Sequence, residues 1–137
     1  MTKVITIFER KNAEVLNNHR RYALMHAYNY QWFDVGFLVH DELRTVYKYN
    51  ILLHQLRACT DGELVVLLDG HTAIMDPISI DQAMAGCDAF VCNGPDSLVM
   101  TILLVMRNNA LNRALLYDML YELHARLTGS LNHTSEF

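Results

Sequence analysis

The chain has 137 residues, 52% of them hydrophobic and 19% charged, with two prolines, six glycines and a formal net charge of −4. That length fits one domain of ordinary size, and the apolar content excludes wholesale disorder. Fifteen Asp and Glu against eleven Lys and Arg leave no basic footprint for neutralising phosphates, so nucleic-acid binding is not expected.

Val4 to Phe8 is a β-branched run ending at Glu9-Arg10-Lys11, which predicts a first strand almost at the start of the chain. Asn12 is a good N-cap, and Val15, Leu16, His19, Tyr22, Ala23 and His26 recur at helical spacing behind it. Tyr28 to Val39 is aromatic and branched and reads as a second strand, interrupted by a loop around Asp34 to Gly36. A second helix is expected from about Glu42, with Val46, Tyr49, Leu53 and Leu56 on one face, ending before Thr60-Asp61-Gly62.

Leu64 to Leu68 is apolar without alternation, the pattern of a strand covered on both faces, and it stops abruptly at Asp69-Gly70-His71. A helical turn is expected from Ser79 to Ala85, a short strand over Asp88 to Cys92, and a turn at Asn93-Gly94-Pro95-Asp96. Val99 to Met106 is the second fully apolar run. The last helix is expected from about Ala110 to Leu127, with Leu116, Met119, Leu120, Leu123 and Leu127 in register and Gly129 as its stop. Alternating strands and helices predict a single three-layer α/β/α domain over residues 1–129, with a mostly parallel or mixed sheet, and a flexible tail over 130–137.

Cys59, Cys87 and Cys92 form no CxxC pair and are expected to be small buried residues in a reducing compartment. The opening segment is too short and too early interrupted by charge for a signal peptide, and no apolar run approaches the ~20 residues that span a bilayer. A cytoplasmic protein without a membrane span is the expectation.

The chemistry is concentrated where the buried third strand delivers Asp69 at its carboxyl end, the place where open α/β sheets put ligands. Asn18-His19-Arg20-Arg21-Tyr22-Ala23 and His26-Ala27-Tyr28, then Tyr47-Lys48, then Val65 to Pro77 with Asp69-Gly70-His71, form an ordered set over about residues 3 to 127. This set resembles the GT-A-fold glycosyltransferases, in particular the galactosyl-, xylosyl- and mannosyltransferase group. Their pattern is a helix with Asn-x-x-x-Tyr-Ala and His-Gly-Tyr, a lysine on the next helix, and a strand ending in Asp-x-Asp.

The resemblance implies a GT-A-like fold binding a nucleotide diphosphate sugar, with transfer of a hexose as its chemistry. By position, Asp69 matches the first Asp of Asp-x-Asp, and Lys48 the lysine that meets a nucleotide or phosphate. His71 stands in place of the second Asp, so Asp69 and His71 are the implied metal ligands. Imidazole suits Mn²⁺ better than Mg²⁺. Met100, Thr101 and Ile102 align with a small-residue Asn-Ser-Gly or Asn-Thr-Gly pattern, and the length leaves out the family's acceptor half. Those departures favour the alternative of a non-catalytic binding or assembly module, and apolar surface left without the acceptor half predicts a homodimer or a partner protein.

Bland readings stand beside these. Asp-Gly is a common turn pair, His71 an ordinary loop histidine, Lys48 a solvated helix lysine, and His19 and His26 core or boundary residues. Tyr22, Tyr28, Tyr47 and Trp32 are packing residues before they are a sugar platform. Asp76 and Asp96 receive no role from spacing.

Overall fold

A computed structural model describes the backbone of residues 1–93 and 101–135 and the side chains of residues 1–92 and 103–129. The described residues form a small α/β domain with a five-stranded mixed sheet and four helices, in the order β1 (Lys3–Phe8), α1 (Ala13–Met25), β2 (Asn29–Asp34), α2 (Asp41–Ala58), β3 (Leu64–Asp69), α3 (Ile80–Ala83), β4 (Ala89–Asn93), β5 (Thr101–Arg107) and α4 (Ala110–Ser135). The sheet order is β2-β1-β3-β5-β4. β1 pairs parallel with β2 and with β3, whereas β5 runs antiparallel to both β3 and β4.

The strand periodicity sorts side chains to two faces. Ile5, Ile7, Val65, Leu67 and Leu104 meet α2 and α4 through Leu52, Leu56, Leu116 and Leu120. Val4, Val66, Leu68 and Val105 meet Ala23 of α1 and Met84 just after α3 on the opposite face. Covered on both sides, β3 is buried from Leu64 to Leu68, as its unbroken apolar run predicts.

Asn12 caps α1 through its side-chain oxygen, which accepts from the backbone of Glu14 at 2.9 Å and Val15 at 3.2 Å. α2 begins at Asp41, one residue earlier than predicted, and buries Val46, Leu53 and Leu56. Several expectations are corrected. β2 ends at Asp34, and beyond it Phe37 and Val39 are 66% and 81% exposed, so aromatic and branched composition there does not extend the strand. Gly129 does not stop α4, which continues to Ser135. Cys87 and Cys92 are exposed and Cys59 is half-buried, so none of the three is a fully buried residue. The turn expected at 93–96, Asp96 and Met100 lie outside the described residues, as do the side chains of Thr101 and Ile102.

Two glycines close loops onto the end of β1. A Cβ on Gly70 would stand 2.9 Å from the Ile7 carbonyl oxygen and 3.1 Å from the Phe8 Cα, and one on Gly36 would stand 2.2 Å from the Glu9 carbonyl oxygen. Only the missing side chain permits both approaches. The Gly70 and Val35 amides then bond to the Ile7 and Phe8 carbonyls at 2.9 and 2.7 Å, drawing the ends of β1, β2 and β3 together.

Candidate functional site

The parallel strands β1, β2 and β3 all present their carboxyl ends on one edge of the sheet. From that edge the chain leaves β1 for α1 on one face and β2 for α2 on the other, so the ends of β1 and β3 meet at the switch point where α/β proteins hold ligands. Glu9 follows β1, Asp34 ends β2, and Asp69 ends β3. Because α2 starts at this edge, its first two turns carry Arg44 and Lys48 to it.

Asp69 has the same parity as Val65 and Leu67, which places its side chain on the α2 face. Its Oδ2 is buried and has no hydrogen-bond partner among the described residues. An unpartnered buried acceptor costs free energy and stands out against the rule that such atoms are satisfied. Lys48 is half-buried beside it. Burial pushes the Lys48 ammonium below its ordinary pKa, and the negative charges of Asp69 and Glu9 act in the opposite direction. Lys48 therefore is not the solvated helix lysine of the bland reading.

Glu9 ties the edge together. Its carboxylate lies 3.8 Å from Arg44 Nε and 4.0 Å from His71 Nε2. Arg44 also donates to the Leu38 carbonyl at 2.9 Å and pairs with Asp41. The His71 side chain is about half exposed. The structure thus brings together Asp69, Lys48 and His71, all three residues singled out from sequence. It adds Glu9, which in the sequence marks only the charged end of a strand, and Arg44, which no sequence motif singles out. Their signal was position, one residue past the strand that neighbours β3 and one turn before Lys48.

His19 belongs behind this edge, not in it. It is fully buried, its Nδ1 accepts from the Thr6 hydroxyl at 2.8 Å, and its Nε2 donates to the Thr72 carbonyl at 2.6 Å. The Tyr30 hydroxyl completes the chain by donating to Thr6 at 2.7 Å. Burial lowers the His19 pKa, opposed by the Thr72 bond and the Asp69 charge, and the neutral imidazole gives every proton of this chain an acceptor. Trp32 lies under the Lys11 ammonium, 4.6 Å from the ring centroid. Tyr22, Tyr28 and His26 pack ring against ring on the far face of the sheet.

Two concavities lie away from the edge. One of about 280 Å³ sits between the sheet and the chain of residues 74–84, with Tyr22, Leu68, Ile74, Ile78 and Leu103 among its walls and exposed Asp76 beside them. An open recess of about 480 Å³ lies at the opposite edge, near Met1, Tyr28, Glu63 and Arg107. Neither contains Asp69, Lys48 or His71. No protein-family model, curated protein or solved structure matches this chain.

Proposed function

We propose that the carboxyl edge of β1, β2 and β3 binds a nucleotide diphosphate sugar, with Asp69 and Lys48 as the principal contacts. The observation that carries this reading is the buried, unpartnered Oδ2 of Asp69 at the end of the central parallel strand. An acceptor held without a partner in a dry position is suited to a donor or cation that arrives with the ligand. Lys48 supplies a fixed positive charge for phosphate oxygens beside it.

The GT-A-like reading draws further support from Ala27. It stands where the glycosyltransferase pattern has glycine, and its φ of 57° lies in the left-handed region that glycine favours. In hexose transfer the bond between the sugar and the diphosphate breaks while an acceptor hydroxyl forms the new bond and loses its proton, and Lys48 meets the charge left on the diphosphate. A divalent cation would supply further neutralisation of that charge. Asp69 and His71 are the residues to hold it, and imidazole selects Mn²⁺ over Mg²⁺. The described residues contain no group of three His, Cys, Asp or Glu that could hold a metal ion, so the diphosphate oxygens would complete the coordination.

Calorimetric titration with UDP and GDP, with and without Mn²⁺, tests the reading on the intact chain and on Asp69→Ala. Binding that strengthens with Mn²⁺ and weakens about tenfold or more in the variant is expected. Absence of binding by either nucleotide overturns it.

A second reading, an assembly module, rests on the outer face of α4. Leu111, Leu115 and Tyr121 are 67%, 53% and 72% exposed there, and Tyr117 stands beside them. Exposed Asp118 and Glu122 lie among them, and the apolar side chains between these charges are suited to burial against a second copy or a partner protein. Light scattering across a concentration series measures it: a dimer that Leu115→Glu dissociates supports the module, and a monomer at high concentration removes self-association. No helix among the described residues is long and apolar enough to cross a membrane.

A further inference from the structure

The chain from Gly70 to Ser79 leaves the site without regular secondary structure, and only two backbone bonds within Asp69 to Ser79 support it, Thr72 to Asp69 and Ile78 to Asp76. Its course is set instead by side chains of α1 and the residues just after it. Asn18 uses both ends of its amide on Ile74, donating from Nδ2 to the carbonyl at 3.1 Å and accepting from the amide at Oδ1 at 2.7 Å. His19 holds the Thr72 carbonyl, Tyr22 the Ile78 carbonyl at 2.7 Å, and His26 the Pro77 carbonyl at 2.9 Å. Tyr28 closes the seam by donating to Asp81 at 2.8 Å. Asn18, Tyr22, His26 and Tyr28 are the polar positions of the helix motif in the sequence. The proposed ligand contacts leave them without a role.

The seam begins where the site ends. His71 is held on one side by the Gly70 amide, bonded to the Ile7 carbonyl at 2.9 Å, and on the other by Thr72 and Ile74 through His19 and Asn18. The imidazole is half exposed to solvent and 4.0 Å from Glu9, and among the described residues no closer side-chain bond fixes it, so its backbone decides where it stands. The geometry points to Asn18 as a positioning residue of the carboxyl-edge site: by gripping Ile74 as a neighbouring strand would, it fixes the chain leaving Asp69 and sets the place of His71 against Glu9. Its consequence for ligand affinity rests on the nucleotide reading above; its consequence for His71 does not.

Asn18 is the member of the seam that can be altered most cleanly. It is half-buried in the middle of α1, where alanine favours helix, whereas His19 is fully buried. Asn17, exposed on the same helix, is the matched control. The experiment compares the wild type with Asn18→Ala and Asn17→Ala by amide exchange at Ile74, by the ¹⁵N resonances of the His71 ring, and by titration with UDP and Mn²⁺. Asn18→Ala is expected to accelerate exchange at Ile74, to move the His71 ring resonances, and to weaken UDP binding by roughly tenfold. Asn17→Ala is expected to change none of the three, and Asn18→Asp, which keeps the acceptor for the Ile74 amide, to restore part of the protection. His71 resonances and UDP affinity that stay at wild-type values in Asn18→Ala overturn the proposal, even where Ile74 exchange quickens. Moved His71 resonances in a protein that binds no UDP leave the positioning role standing and remove the nucleotide reading.

Discussion

The two faces of the sheet are held by different physics. On the α2 and α4 side, Leu52, Leu53, Leu56, Leu116 and Leu120 close over Ile5, Ile7, Val65 and Leu67, and the polar contact at this cluster is local, buried Gln55 bonding Lys3 and Gln31. On the α1 side a smaller apolar cluster is joined by Thr6, His19 and Tyr30, and by the bonds from Asn18, Tyr22 and His26 to backbone fifty or more residues away. Apolar packing is strong but non-directional, whereas a hydrogen bond is worth little net and demands a particular geometry. The first face supplies stability, and the second supplies position to the chain that leaves Asp69.

Breaking the apolar face has the largest expected effect. Leu56 is fully buried at the centre of that cluster, and Leu56→Ala should lower unfolding free energy by about 2–5 kcal/mol, read from urea denaturation. The His71 ring resonances should stay unmoved in the folded variant, because Leu56 packs on the face of the sheet opposite α1. A moved His71 signal would show that the two faces are not separate in function.

The seam face sharpens the comparison through smaller changes. Ala27 joins two seam residues, His26 and Tyr28, with φ at 57°, a conformation costing a residue with a Cβ roughly 1–2 kcal/mol. Glycine relieves that cost while adding freedom to the unfolded chain, so Ala27→Gly should raise stability by about 0.5–1 kcal/mol. Thermal denaturation reads it, and a destabilised variant would show that the Cβ of Ala27 contributes packing.

The smallest effect is a slope. Burial lowers the folded-state pKa of His19 from 6.5, so the unfolded chain takes up a proton that the folded chain refuses. Above about 6.5 His19 adds no pH dependence; as pH falls from there toward the lowered value, stability is lost. His19→Gln should remove that part of the slope in denaturation curves measured between pH 7 and 5. A slope equal to the wild type's would show that the folded protein accepts the proton at His19.

Much of the architecture is legible in the sequence. The apolar run of Leu64 to Leu68 specified a strand buried on both faces, Asn12 specified the start of α1, and Val46, Leu53 and Leu56 gave the inner face of α2. Each is a local pattern whose period matches the element it forms. Where the local signal was ambiguous, tertiary context decided. Gly129 is a common stop, yet α4 runs through it to Ser135, and the aromatic and branched residues after Asp34 form a loop because Gly36 must fold back against Glu9.

The site divides in the same way. By itself, the sequence determined that Asp69 ends a buried strand, that Gly70 and His71 follow at once, and that Lys48 lies on the preceding helix, because residue type and spacing along one strand or helix are one-dimensional facts. Only the tertiary structure decided that Glu9 and Arg44 belong to the same edge, that the Asp69 Oδ2 is left without a partner, and that Asn18 and His19 grip Ile74 and Thr72. Those contacts join residues 35 to 56 positions apart, and no period in the chain encodes such a separation. It follows from the parallel pairing of β1 with β3, which lays the end of one strand beside the end of another and turns two distant acidic residues into neighbours.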